Sequence, residues 1–260
     1  MLIHKLKEIW QRRDLIYTFV ARDLKVRYRG SVLGFLWSFL DPLINAAVLW
    51  VIFTFLFARG IENFAVFLLI GILPWNFFAA SVSQGSRVIM DNGGLIKKIR
   101  LPREVFPVST VLANLIHFFL AFLVLVLFLI IFRVPFNPGA WLFFPAVLLL
   151  ATVFNLGATL FSSSVSVYFR DFPYIVESVL RVLYFATPIF YSPDFIPERF
   201  RTAYLLNPLA SAITALRQIF LDGRIPNLLL LVLLASVSLV SLVGGYFVFS
   251  RLEKGFAEEV

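Results

Sequence analysis

Three charged side chains stand inside long apolar stretches of this sequence: Asp41, Glu177 and Arg181. An ionised group in hydrocarbon is costly unless it is paired or reaches water, so such residues are the first candidates for chemistry. Glu177 and Arg181 lie four residues apart with the acid first, a spacing that lets them neutralise one another on one helix face. A pair of that kind is structural; the same two groups held apart would suit a proton relay. Asp41 precedes Pro42 and has no neighbour of opposite charge. It either pairs across helices or faces a wet cavity. His117 reads as a packed or hydrogen-bonded interior residue.

Other chemistry is missing. None of Lys5, Lys7, Lys25, Lys97, Lys98 and Lys254 follows a glycine, so no Walker A loop is present to hold nucleotide phosphates. His-Glu-x-x-His and Gly-x-Ser-x-Gly do not occur. The chain has no cysteine, which removes disulfides, thiolate metal sites and cysteine nucleophiles. His4 and His117 are too far apart in sequence to form a ligand motif. The expectation is a chain that is not an enzyme and binds no cofactor or metal, with any energy supplied by a partner or an ion gradient.

Aromatic residues are abundant, with 31 Phe, 8 Tyr and 5 Trp. Phe35, Trp37, Trp75, Phe77, Phe78, Tyr184, Phe185, Phe190 and Tyr191 cluster in three apolar stretches. Ordinary packing and interfacial belts account for such residues. Flat C–H faces of sugar rings also stack on aromatics, so Phe35, Trp37, Trp75, Phe78, Tyr184, Phe190 and Tyr191 are candidates for lining a conduit.

The elements that must carry these residues follow from composition. The chain is 60% hydrophobic and 15% charged, with a mean hydropathy of +0.91. Soluble domains average about 45–50% apolar and about 25% charged. The fold class expected is therefore an all-α integral membrane protein. Spans are expected at 32–58, 63–86, 105–132, 141–168, 174–191 and 225–250, each bounded by charged or turn residues, with Thr187-Pro188 interrupting the fifth. Residues 1–30 alternate apolar and charged positions at helical spacing, with Asp14 as an N-cap, and read as an amphipathic helix lying in the membrane interface. Residues 31–260 form the six-helix domain.

Two segments interrupt the pattern. In 91–103 (DNGGLIKKIRLPR), Asn92-Gly93-Gly94 breaks a helix, a short amphipathic turn follows, and Pro102 ends it. Residues 193–223 are cut by Pro193, Pro197, Asn207-Pro208 and Gly223. The longest piece, 209–221, rises about 20 Å, short of the roughly 30 Å of hydrocarbon, so it dips in without crossing. Arg217 falls on this outer segment, and 251–260 reads as a short charged tail. The basic run Arg22, Lys25, Arg27 and Arg29 before the first span, together with the bias of Lys and Arg in later loops, places both ends in the cytoplasm. The same bias, with anionic lipid, accounts for the net charge of +8 without a nucleic acid.

Several motifs in this order resemble the permease subunit of type-2 ABC exporters, closest to the branch that moves O-antigen, teichoic acid or capsule chains. They are Arg22-Asp23-Leu24-Lys25-Val26-Arg27-Tyr28, Gly30-Ser31-Val32-Leu33-Gly34 with Trp37, Pro74-Trp75 with Phe77-Phe78, and Asn92-Gly93-Gly94-Leu95-Ile96-Lys97-Lys98. Arg170-Asp171, Thr187-Pro188-Ile189, Ile196-Pro197 and Asn207-Pro208 complete the set. The resemblance spans essentially the whole chain.

It implies a homodimer of permeases in the bacterial inner membrane, with a conduit between them. Two copies of a cytoplasmic ATPase would carry ATP and Mg²⁺, and the cargo would be a polysaccharide on a lipid pyrophosphate. Residues 91–103 would be the coupling helix, with Asp91, Leu95, Ile96, Lys97, Lys98, Arg100 and Arg103 at the ATPase contact. Residues 193–223 would be periplasmic gate helices. Arg27, Arg29, Gly30, Ser31 and Gly34 either meet the pyrophosphate, since arginine and glycine-bearing loops suit that anion, or anchor the chain by the positive-inside rule. A type-2 exporter of another cargo and a proton-coupled transporter using Asp41 or Glu177 are the alternative readings. No inverted repeat of the kind common in secondary transporters is visible.

Overall fold

The computed structural model describes residues 12–28, 36–37, 40, 43–45, 47–48, 51, 63–98, 101–193 and 196–260, with side chains 27, 28 and 201–203 excepted. The expected span 32–58 therefore lies largely outside the described residues. Arg29, Gly30, Ser31, Gly34, Phe35, Asp41 and Arg100 lie wholly outside them, as does the Arg27 side chain. Among the described residues the fold is all helix.

The elements run α1 (Arg13–Tyr28), α2 (Phe64–Asp91), α3 (Gly93–Lys98), α4 (Val105–Ile131), α5 (Pro138–Trp141), α6 (Phe144–Tyr168) and α7 (Phe172–Ala186). They continue with α8 (Glu198–Leu205), α9 (Pro208–Phe220), α10 (Leu228–Leu252) and, after a 3-10 turn at Glu253–Gly255, α11 (Phe256–Glu259). Among the described residues four stretches are long and apolar enough to cross a membrane: Phe64–Asp91, Val105–Ile131, Pro138–Tyr168 and Leu228–Glu259. The most apolar window of α2 is 83% buried and that of α10 only 22%. Helix α2 is thus the central post, and α10 leaves most of its flank exposed. Ile116, Phe119, Leu123, Leu127 and Ile130 recur every three or four residues on an exposed stripe of α4, as a lipid-facing surface requires.

Helix α2 runs five residues beyond the expected 63–86, because no breaker intervenes until Asn92 caps it and Gly93 opens α3. Helices α6 and α10 pack along each other. Glycine is required at their crossing: a Cβ on Gly157 would lie 2.3 Å from the Ser241 backbone, and one on Gly245 2.0 Å from the Gly157 carbonyl oxygen. Small residues let transmembrane backbones approach this closely. On the same helix Ser162, Ser163, Ser164 and Ser166 each donate to a carbonyl three or four residues back, which satisfies their buried hydroxyls.

The expected span 174–191 is helical only as far as its break at Thr187-Pro188. Pro173 sits in the first turn of α7, but the helix stops at Ala186. Pro188 lacks an N–H and excludes the helical region for the residue before it, and Thr187 is extended. The 15-residue helix rises about 22 Å, less than the hydrocarbon thickness. Non-helical backbone follows, with Thr187 and Ile189 fully buried. Irregular backbone at such depth persists only where protein satisfies its polar groups.

Candidate functional site

Two regions collect the candidate residues. The first lies where α1, α3 and the end of α2 meet. Asn92 donates through Nδ2 to the Val88 carbonyl at 2.8 Å and accepts from Arg22 Nη1 at 2.9 Å, which ties α1 to the α2–α3 hinge. Arg22 also pairs with Asp23 at 3.0 Å and lies over the Phe19 ring at 4.7 Å. Phe19 in turn packs on Phe106 of α4.

Within α3, Ile96 is buried in the core beside Val88, Ile89 and Phe256, Leu95 packs on the edge of that cluster, and Lys97 and Lys98 are exposed. Asp91 is exposed at the last position of α2, and Arg103 lies 5.7 Å from the Phe256 ring. The short helix thus offers two ammonium groups outward while an apolar side chain holds it to the bundle. A cavity of 440 Å³ opens between α1, α2 and α4, with Arg22, Gln84, Asp91, Asn92 and His117 on its wall.

The second region surrounds the broken end of α7. Thr187 donates to the Leu183 carbonyl at 2.7 Å and accepts from Asn207 Nδ2 at 3.2 Å. Asn207 Oδ1 meanwhile caps α9 by accepting from the Leu209 amide. Tyr191 and Tyr204 place their hydroxyls 2.8 Å apart. Burial, and then the bond to Tyr191, hold the Tyr204 phenol above its usual pKa.

At the centre sits Arg217 of α9. Its Nη2 donates to the Ile189 carbonyl at 2.9 Å and to the Phe67 carbonyl at 3.4 Å, and Nη1 donates to the Tyr191 carbonyl at 3.2 Å. The guanidinium carbon is 3.4 Å from the centroid of the Phe67 ring. Assigned from sequence to an outer segment, Arg217 is 6% exposed. It supplies the donors that the unwound stretch has lost. The available signal was a lone arginine in an apolar, small-residue helix close to a proline break.

Other candidates move. Glu177 and Arg181 form no ion pair. Glu177 accepts instead from Ser83 Oγ on α2, and Arg181 is exposed. Trp75 and Phe78, expected to line a conduit, are buried in the core among Tyr184, Phe154 and Ile189. They face inward because α2 is the central post. Tyr184 and Phe190, 5.2 Å apart and edge to face, are half-buried, as is Tyr191. Trp37 is exposed. Phe185 and Tyr174 project freely from α7, each 70% exposed.

The sequence pattern of ABC-2 type transporters matches residues 14–221, a stretch that takes in α1, the hinge with α3, and the broken helix with α9. The chain belongs to the ABC-2 type transporter family. An O-antigen export permease, RfbA of Myxococcus xanthus, is 37% identical over the full length of both chains. RfbA of Klebsiella pneumoniae is 34% identical over 94% of each. The polysialic acid transport protein KpsM of Escherichia coli is 26% identical over 90% of this chain and 91% of its own. This ABC-2 protein is thus a transmembrane transport permease, and the four apolar stretches of its fold suit that assignment.

Proposed function

We propose that this chain is the membrane-spanning subunit of an ATP-driven exporter that moves a lipid-linked polysaccharide of the O-antigen type from cytoplasm to periplasm. The observation that carries the reading is the match to two O-antigen export permeases, over the full length of one and 94% of the other. In this account the chain binds neither ATP nor Mg²⁺. Two copies of a separate cytoplasmic ATPase bind both, and α3 with Lys97 and Lys98 docks against them. Residues with ATPase-facing charge are kept on one side of the bacterial inner membrane by the basic run through α1.

Two permeases form the channel between them. The exposed face of α7, with Ile175, Val179 and Val182 beside Tyr174 and Phe185, suits a second copy of the chain, and Tyr184 and Phe190 flank it. Arg27, Arg29 and the Gly30–Ser31 turn with Gly34 receive the lipid pyrophosphate, because arginine forks match phosphate oxygens. Helices α8 and α9 form the periplasmic gate. Asp41, outside the described residues, is given no role.

The test is purification from the native membrane in mild detergent, followed by mass spectrometry of what stays bound. The account expects a stoichiometric P-loop ATPase that is lost when Lys97→Glu and Lys98→Glu are combined. Recovery of the permease alone, under conditions that preserve a known ABC complex, would overturn it.

A further inference from the structure

The segment after α10, read from sequence as a charged tail, folds back onto the bundle. Phe256 is fully buried, edge-on to Phe249 with ring centroids 5.5 Å apart, and beneath the guanidinium of Arg103. Tyr168 of α6 donates to the Leu252 carbonyl at 2.9 Å, and its oxygen would stand 2.2 Å from a Cβ on Gly255, so the turn into α11 needs glycine there. Helix α11 then packs against α3. A Cβ on Gly93 would lie 1.9 Å from Val260 Cγ1 and 3.2 Å from Val260 Cβ, so the first residue of α3 is glycine in order to receive Val260. Glu258 and Glu259 remain exposed, as do Lys97 and Lys98.

Helix α3 has six residues, too few to be stable unsupported. An element that passes force from a partner into the membrane must be held against the long helices on more than one side. Its own chain holds it to α2 through Asn92, and Ile96 seats it in the core. Residues 253–260 supply the third hold, tied to α10 through Phe249 and to α6 through Tyr168.

We propose that residues 253–260 buttress α3, and that the two together form one composite docking surface for the ATPase, with the lysines of α3 and the carboxylates of α11 on its outer side. This rests on the reading that α3 meets an ATPase, and it extends that contact to a segment outside the matched residues 14–221. Movement of the ATPase would then reach α6 and α10 directly as well as α2.

Two measurements on the full chain in its native membrane test it. The protein has no cysteine, so Gly93→Cys with Val260→Cys creates a single possible intramolecular disulfide. The 3.2 Å between the Cβ positions is close to the roughly 3.5–4.5 Å that such a bond spans. Mild oxidation should close it in the assembled complex. Separately, Val260→Asp, which puts a charge against Gly93, should weaken ATPase recovery by about tenfold through loss of a pre-organised surface.

A pair that stays reduced under oxidant would refute the packing. ATPase recovery with Val260→Asp equal to wild type would refute the docking role. Failure of the wild-type chain to retain any ATPase would instead overturn the docking reading beneath it, whatever the cysteine pair does. If Val260→Asp lowers protein yield, Gly93→Ala, which displaces Val260 without adding charge, gives the same readout with a smaller expected loss.

Discussion

Replacing Arg217 by leucine tests the account of the broken helix most sharply. The substitution leaves the carbonyls of Ile189 and Tyr191, now bonded at 2.9 and 3.2 Å, without a donor in a buried site. Each unsatisfied group costs about 1–3 kcal/mol. The Phe67 ring loses a desolvated cation worth about 2 kcal/mol. Against this, the guanidinium no longer has to be stripped of water, which returns several kcal/mol. The net expectation is a loss of about 2–4 kcal/mol, or a fall of roughly 5–10 °C in melting temperature for a chain of this size.

Lysine at 217 offers one compact, strongly hydrated charge in place of a planar fork, so it should recover only part of the loss. Thermal unfolding in detergent followed by tryptophan fluorescence is the assay, because Trp75 packs 5.3 Å from Tyr184 at the end of α7. Arg199→Ala, on an exposed residue of α8, serves as the control. If Arg217→Leu melts within about 1 °C of wild type, the guanidinium is not what holds the unwound stretch.

Three further outcomes are expected. Combining Lys97→Glu with Lys98→Glu should abolish ATPase recovery while leaving the melting temperature unchanged, since both side chains are exposed; a matching drop in stability would make the effect structural. Gly245→Val should destabilise by at least about 1–3 kcal/mol, because its Cβ meets the Gly157 carbonyl oxygen at 2.0 Å, whereas Gly244→Val, with nothing within 4 Å, should be tolerated in the same melt. Glu177→Gln keeps an acceptor for Ser83, so transport should continue, and should survive collapse of the proton gradient; dependence on either would favour a proton-coupled mechanism.

How far the sequence could be read depended on the range of the interaction. No charged residue falls between Val105 and Phe132, and helix α4 fills Val105–Ile131 within that run. Helix identity there is written in local composition. Thr187-Pro188 was visible as an interruption, but a hydropathy pattern continues across it, and only the geometry of proline decides that the helix ends at Ala186. Local spacing misled at Glu177 and Arg181, where a serine 94 residues away in sequence takes the place of the expected partner. Arg217 was hidden for a related reason: its partners are backbone carbonyls on two other segments, which carry no residue signature. Leu252, Phe256 and Val260 were the apolar hints that 251–260 is more than a solvated tail. Burial of Trp75 and Phe78 followed from α2 being surrounded, a property of the assembled bundle and not of their own helix.

The central claim is export of a lipid-linked polysaccharide, and it is tested most directly in the source bacterium. The gene for this chain would be deleted, and lipid-linked polymer measured on each side of the inner membrane together with polysaccharide at the cell surface. The account predicts that surface polymer disappears while completed, lipid-linked chains accumulate in the cytoplasmic leaflet, and that the wild-type gene, but not the Lys97→Glu and Lys98→Glu double variant, restores the surface. Surface polysaccharide that persists unchanged, with no chains held inside, would contradict it.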